Sequence, residues 1–506
     1  MTRPHFKALT GSTALWICLS GTAIADVSAL DVWNNWKSYG ESFGQEFTIG
    51  SQNTDGGTLS LKDITISMDF GEGQISGTLG LIEFRERSDG TVAITMSPDY
   101  LMTMSIDPPE EEQVDMEFVF SQLGMTMVAS GSEGAISYDY LAAEMKFALN
   151  KLLVDGEEVG VDASFAMSEL NGKYSIVEGD LRQISSKMNA AGMTFDVNFT
   201  DPDDGTHFEL NGNVADLSSQ SEGQIPNEID MNDPTWIFNS DFAVSGGVSA
   251  GPGSYNINVV DESGPFSFEG SSATSSLDFD FGEGMVAYGG ATTDTHYRVS
   301  GAQIPLPQIE LSLDESAFKF KMPLGKSDTP QDFGFLTKLI GLSVSDDIWG
   351  MIDPGKVLPR EPATLILDIA GKMNWLVDIT DPEAMVEVEN NGEMPALLHS
   401  MTISDVTMSI AGAEVNATGD FAFDNSDLTT FDGMPAPTGT IDVNIFGVNG
   451  LMDRLTQMGL LPQEQAMGAR MMLGLFARPA DGPDSMTSKI EVNGDGSVFA
   501  NGQQLK

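Results

Sequence analysis

A mainly β fold, made of long antiparallel amphipathic sheets in two related halves, is what this sequence predicts, and three observations carry the prediction. Apolar residues recur with a period of two over most of the chain, as where Ile64, Ile66, Met68 and Phe70 alternate with Thr65, Ser67 and Asp69. Gly-rich and Asn-Gly steps punctuate these runs, at Asn171-Gly172, Asn211-Gly212 and Asn501-Gly502, as the turns of a meander would. Two stretches also echo each other across the chain. Leu59 to Met68 resembles Met401 to Ile410, and Asp69-Phe70-Gly71-Glu72-Gly73 resembles Asp280-Phe281-Gly282-Glu283-Gly284. In the first pair the alternation slips by one residue beside an aspartate. Leu61 and Ile64 then share a face only if Asp63 sits in a bulge, and Ile403 and Val406 only if Asp405 does. With no short fixed period, the echoes read as related strand units and not as a solenoid.

Taken in order, residues 1–25 read as a cleavable export signal. Arg3 and Lys7 form the charged entry, Leu9 to Ile24 the apolar stretch, and Ala23-Ile24-Ala25 a small-residue cleavage site before Asp26. The uninterrupted apolar core, Ala14 to Leu19, is too short to span a bilayer. Cys18 follows Trp16 and Ile17, not the small residue that a lipoprotein signal wants. A short helix is expected next, with Ser28 as cap, Asp31 three residues on, Val32, Trp36 and Tyr39 on one face, and Gly40 as its stop. Strand-like alternation follows near 91–106, 114–128, 161–167, 192–199, 236–248, 254–260, 275–281, 308–322, 363–370, 401–424 and 438–446.

The polar, Ser/Gln/Asn-rich stretch 218–234, with Pro226 and Pro234, is expected as a linker between an N-terminal β-rich half (26–217) and a C-terminal one (235–506). A further loop is expected near Thr380 to Pro395. Helix is expected near 332–352, where Leu336, Leu339 and Ile340 cluster after Asp332 and Ser345-Asp346-Asp347 precede Trp349. A helical hairpin is expected near 450–477: Leu451, Leu455 and Met458 lie on one arm closed by Gly459, and Pro462 opens a second with Met467, Met471 and Leu475 in register. Two short strands around Asn493-Gly494-Asp495-Gly496 end the chain.

Composition narrows the function classes. The chain has 24 basic and 75 acidic residues; losing Arg3 and Lys7 with the signal takes the formal charge from −51 to −53. Such a surface repels phosphate backbones and anionic head groups, which argues against nucleic acid and against charge-driven membrane docking. Cys18 is the single cysteine, so the exported chain has no disulfide, thiol nucleophile or cysteine metal site. No later segment reaches transmembrane-helix length.

The motifs that resemble catalytic sites fail on context. Gly247-Val248-Ser249-Ala250-Gly251 matches a hydrolase nucleophile elbow, but Pro252 and Gly253 follow and then strand-spaced Tyr255, Ile257 and Val259, leaving no helix to expose Ser249. Gly325-Lys326-Ser327 imitates the end of a phosphate loop, yet Phe320 stands where the opening glycine belongs. His207, His296 and His399 are far apart and have no second donor at ligand spacing. Asp201, Asp203 and Asp204 before Gly205, Glu110-Glu111-Glu112 with Asp115 and Glu117, and Asn493, Asp495 and Ser497 offer oxygen donors without an EF-hand pattern, and read first as polar turns. Methionine pairs such as Met102 with Met104 and Met125 with Met127 read as soft core filler before copper ligands. A Met- and Phe-lined sheet face also suits varied apolar ligands. No catalytic residue and no cofactor is expected, and a metal site is left open.

Asp346-Asp347-Ile348-Trp349-Gly350-Met351-Ile352-Asp353-Pro354-Gly355-Lys356-Val357-Leu358-Pro359-Arg360-Glu361-Pro362-Ala363-Thr364-Leu365, followed by Asp368-Ile369-Ala370-Gly371, resembles a signature of the alphaproteobacterial family called domain of unknown function 2125. The run Gly459-Leu460-Leu461-Pro462 through Arg470-Met471-Met472-Leu473-Gly474 to Asn501-Gly502 resembles the same family, as does Asp31-Val32-Trp33 with Trp36. The likeness spans most of the exported chain, most specifically 346–376 and 447–505. It implies an exported bacterial protein and brings no reaction or catalytic residues with it. A looser likeness, in long amphipathic sheets alone, is to AsmA-like envelope proteins, which are thought to cradle lipids. The expectation is therefore a non-catalytic periplasmic protein of envelope maintenance that binds a lipid or other apolar ligand on a sheet face, with envelope proteins as further partners and secretion as the alternative address. An acidic calcium-dependent surface or scaffold protein is the alternative class, and an exported hydrolase the third.

Overall fold

The computed structural model describes residues 26–109, 112–202, 204–227, 229, 241–282, 284–379, 386, 388, 390 and 394–506. The expected leader, residues 1–25, lies outside them. The first described element is helix α1 (Ala29–Ser42), which forms where the sequence places it. Ser28 Oγ accepts from the Asp31 amide at 3.1 Å, and Asp31 Oδ2 accepts from the Ser28 amide at 3.0 Å, a complete capping box. The helix runs two residues past Gly40, which is buried because a Cβ there would meet the Phe47 ring.

The rest is one antiparallel meander in which almost every strand pairs with its neighbours in sequence. It begins with β1 (Glu46–Asp55), β2 (Thr58–Phe70) and β3 (Gly73–Glu86). One broken rung consists of β4 (Val92–Met96) and β5 (Asp99–Ile106), the next of β6 (Val114–Leu123) and β7 (Thr126–Ser132). Long strands follow: β8 (Ala135–Val154), the short β9 (Glu157–Glu158), β10 (Val161–Val177), β11 (Arg182–Thr200) and β12 (His207–Ile225). Broken rungs recur as β13 (Ala243–Ala250) with β14 (Gly253–Asp261), and β15 (Gly264–Ser272) with β16 (Thr274–Gly282). Then come β17 (Met285–Gly301), β18 (Ile309–Pro323), β19 (Gln331–Val344), helix α2 (Asp346–Ile352), β20 (Ala363–Trp375), β21 (Ala396–Ile410), β22 (Ala413–Asp424) and β23 (Ala436–Phe446). Helices α3 (Val448–Gln457) and α4 (Gln463–Phe476) form the hairpin, and β24 (Arg478–Pro479), β25 (Ser485–Val492), β26 (Val498–Ala500) and β27 (Gln503–Gln504) close the chain.

Four expectations are corrected. Asp332 to Ile340 belongs to strand β19, because Phe335, Thr337 and Leu339 keep the period of two and Phe335 stands opposite both Phe320 and Ile369. The helix there is confined to α2, after Ser345. The expected linker begins inside the sheet: Ser218 to Gln224 pair with β13, the serine and glutamine side chains being compatible with a strand whose faces are not covered. Of the remainder, 228 and 230–234 lie outside the described residues. Asn171-Gly172 and Asn211-Gly212 are mid-strand and not turns. Gly172 and Gly212 instead leave room for the rings of Tyr140 and Phe195, which a Cβ would strike. Asn501-Gly502 does turn the chain.

The predicted slips are present. Leu61 and Ile64 are both wholly buried in one core, with Asp63 between them at φ 53°. The register of β21 shifts between Ile403 and Val406, and those two face Ile369 and Leu367. The first slip is part of something larger. At the same level of the sheet the chain bends at Gly50, Asp63, Ser97-Pro98, Gly124, Glu169, Asp216, Gly251-Pro252, Ala273, Asp294 and Gly341, in strand after strand. Asp63, Asp216 and Asp294 adopt positive φ, which the short aspartate side chain tolerates better than branched ones do, and Glu169 adopts it too. Because the rungs from β1 to β19 slip together, pairing survives and the apolar face stays on one side of the sheet above and below this crease. The Asp405 bulge lies beyond the crease and lacks the positive φ. The second echo places a hairpin turn in each half, at Phe70/Gly73 and at Gly282/Met285, with Glu283 outside the described residues.

Candidate functional site

Each face of the sheet has a uniform character, and the apolar one is covered only at its ends. At the amino-terminal end α1 lies across it, burying Val32 and Trp33 against Leu61, Ile64, Ile82, Phe84, Ile94 and Tyr138. Trp36 packs edge-on to Phe84 at 5.5 Å, and Trp33 edge-on to Phe47 at 5.7 Å. A polar clamp holds the other side of the helix. Arg182, 2 % exposed, donates to Glu178 at 3.1 Å, to Ser42 Oγ at 2.6 Å and to Ser38 Oγ at 3.3 Å, and lies over the Tyr39 ring. Asn35 links the same Glu178 to the buried Tyr138 hydroxyl, which donates to it at 2.7 Å. Burial raises the pKa of Tyr138 and Tyr174, and pushes Tyr100 up to about 12.

At the other end the α3–α4 hairpin covers Ala413, Ala417 and Ile445, with Met452 and Ala466 buried. Asp484 caps α3, accepting from the Gly450 amide at 2.8 Å, and Ser488 Oγ donates to the Phe476 carbonyl at 2.5 Å. Met467, Met471 and Leu475 do fall in register, but on the exposed side of α4.

Between these ends the face is open. Among the described residues Pro323 is the single buried apolar side chain between Ile225 and Leu358. One row places Gly246, Phe279, Tyr288, Phe320, Phe335, Ile369 and Ile403 directly opposite one another across seven strands. A second places Val248, Leu277, Gly290, Phe318, Thr337, Leu367 and Val406 beside it, and across the crease run Leu210, Ile257, Phe268, Val299 and Ile309. Leu277 is 47 % exposed, Phe335 44 % and Met408 52 %. At about 4.8 Å per strand each seven-strand row is about 30 Å long.

The opposite face is polar. A hollow of about 610 Å³ there holds Asn211, Asn256, Glu269, Arg298 and Glu310 in one row. Arg298 bridges Glu269 at 2.6 Å and Glu310 at 3.3 Å. His296 lies here, while His207 contacts Thr200 and His399 contacts Asn374, so the three histidines are not brought together. Ser249 is the penultimate residue of β13, paired with Ser218 and Ser276, and strand β14 rather than a helix follows the bend at Gly251-Pro252. Lys326-Ser327 forms a bridge beside Trp375.

Of the acidic candidates, Asp204 and Asp495 lie in turns, whereas Asp115 and Glu117 lie in strand β6. The Thr206 amide holds the Asp204 carboxyl below its ordinary value, and the Ser497 hydroxyl does the same for Asp495. Asp115 accepts from Ser105 at 2.5 Å. Asp203, Glu110 and Glu111 lie outside the described residues, and no cluster of three metal-ligating side chains occurs among those described. No helix among them is long and apolar enough to cross a membrane.

Sequence reasoning missed the cavity under α1, about 440 Å³, lined by Trp36, Tyr39, Phe43, Met96, Met127 and Tyr100 among others. The aromatic density from Trp33 to Phe47 was its signal.

Fold and site together define an open antiparallel meander sheet with both ends of its apolar face capped by helix. Within it, residues 267–503 match the family model described as "Uncharacterized protein conserved in bacteria (DUF2125)". The match takes in the 346–376 signature and nearly all of 447–505. It is narrower than the sequence likeness suggested, since Asp31-Val32-Trp33 and Trp36 fall outside it. The signature residues build the connector between β19 and β20. Asp353, fully buried, accepts from the Val357 and Leu358 amides at 3.0 and 2.8 Å, and Arg360 pairs with Asp346 and covers the Trp349 ring. No curated relative matches the sequence. Among solved structures the chain is similar to the ferric citrate transporter FecA in its unliganded form, at 8% identity over 91% of this chain and 76% of that one, with a TM-score of 0.15, which supports no conclusion about the fold.

Proposed function

We propose that this chain is a non-catalytic periplasmic protein of the bacterial envelope that holds a lipid or another apolar ligand on its open sheet face. The observation that carries the reading is the pair of rows through Phe335 and Phe318, which extends over seven strands without burial. Soluble monomers rarely leave a contiguous apolar patch of more than a few hundred Å² in water, and such patches mark binding surfaces. The export signal, residues 1–25, supports the address, and the family match supports a bacterial origin. Of the catalytic look-alikes, Ser249 is followed by strand β14 instead of the helix of a nucleophile elbow and Lys326-Ser327 lacks its cradle, which supports a binding role.

The test is gentle purification of the exported form, solvent extraction for co-purified lipid, and melting with calcium or with a chelator at matched ionic strength. A ligand that binds only the folded state raises its stability by mass action. Bound lipid with no calcium-specific shift supports the proposal. A calcium shift without lipid supports the acidic scaffold reading instead.

A further inference from the structure

We infer that the cavity under α1 is a terminal pocket for one unbranched hydrocarbon chain, entered from the open apolar face; this deepens the lipid reading above and rests on it. The lining carries no ionisable group other than tyrosines, and its remaining polar side chains are Gln45 and Gln122. The occupant is therefore uncharged where it enters. The Gln122 amide is already committed, donating to the Ser97 carbonyl at 2.9 Å, so little polar recognition is left to select a ring or a sugar.

Shape points the same way. Met96, Met125, Met127 and Met145 contribute four flexible thioethers to the wall, a lining that adapts to a mobile chain better than to a rigid ring system. A volume of about 440 Å³ falls within the range of about 300–1,000 Å³ usual for small-molecule sites.

The route in is continuous with the open face. Met125 and Met145 line the cavity and also pack on Ala142, Leu170 and Ala190 at the crease, together with Met167, Met188 and Leu217. Met145, Met167, Met193 and Val214 then stand opposite one another across four strands, leading from the cavity toward β13 and β14. The thioethers thus form a track from the uncovered rows to the space beneath the helix. The roof is fixed: the capping box, the Glu86 carboxylate on the Ala29 amide at 3.0 Å and the Arg182 clamp hold α1 in place, so the pocket is preformed.

The experiment uses the full exported chain and palmitic acid bearing a diazirine near its methyl end. After irradiation, labelled peptides are mapped by mass spectrometry in the wild type and in Met127→Trp, which fills the cavity, with Met96→Trp as a second filling variant and melting curves to confirm folding. Labels are expected on the peptides carrying Met96, Tyr100 and Met127, and filling should reduce them about tenfold while labels at Phe318 and Phe335 persist. Labels confined to the open face, or unchanged in both folded variants, overturn the pocket and leave the open-face reading standing. No label anywhere overturns both.

Discussion

The guanidinium of Arg182 has left water almost entirely, and four hydrogen bonds to Glu178, Ser42 and Ser38 replace its solvent. Removing one member of such a buried pair strands the other, so Arg182→Ala should destabilise the protein by about 3–5 kcal/mol in urea unfolding. Arg182→Lys should recover only part of this, because an ammonium cannot reproduce the planar fork. A loss below about 1 kcal/mol would show that α1 does not depend on the clamp. Asp353 makes a second prediction. Hydrogen bonds from the Val357 and Leu358 amides hold its carboxyl below the ordinary value, despite the opposing effect of burial. A depressed folded pKa gives stability that is present above the unfolded value, about 3.9, and lost as pH falls through the folded one. The wild type should therefore lose stability more steeply than Asp353→Asn as the pH is lowered below about 4. Parallel acid limbs would contradict this.

A strand is legible from its alternation only where the alternation is regular, and the crease shows what happens where it is not. The aspartate slips at 63 and 405 could be read from sequence because apolar residues flank them on both sides. The slip at Asp294 could not, since Thr292 and Thr295 flank it; their hydroxyls, 3.0 Å apart, show that they share a face. The reading of 332–340 as helix failed for a related reason: Leu336, Leu339 and Ile340 satisfy a helical period over so few residues that only their partners on β18 and β20 decide. Asn-Gly steps misled because glycine serves two ends, a turn or a seat for a neighbouring ring. Gly172→Ala should thus be destabilising by about 1–3 kcal/mol through the Tyr140 ring, not through lost turn geometry. The crease can be tested directly. Asp63→Gly should stay within about 1 kcal/mol of wild type, since glycine takes positive φ freely. Deleting Asp63 should abolish folding of the amino-terminal end, because every side chain on one arm of β2 then changes face. A deletion that melts normally would refute the crease as the device that keeps the face continuous.

At the scale of the whole molecule, composition and periodicity revealed the class of fold and the helical hairpin, while the openness of the face was hidden. Alternation is the same whether an apolar face meets another layer or meets nothing, and only the lack of buried apolar side chains between Ile225 and Leu358, Pro323 excepted, distinguishes the two. The expected division into halves at 218–234 blurred for the same reason, as a strand with no covering layer can be as polar as a linker. Because each strand touches little beyond its sequence neighbours, stability should be graded along the chain. Hydrogen exchange should be slowest around Leu59–Phe84 and Ile136–Tyr138, where α1 completes a core, and fastest over 243–344. Uniform protection would show one cooperative unit. The meander also has a consequence for size. Rungs are added in sequence, and neither the first strand nor the last pairs with the other, so closure fixes no number of strands. Each hairpin inserted or deleted in the middle would change the length of the apolar strip by about 10 Å while leaving both helical ends intact. Such a sheet is a ruler graduated in hairpins, and the distance between its capped ends can be reset by gain or loss of a single repeat unit without redesigning either end.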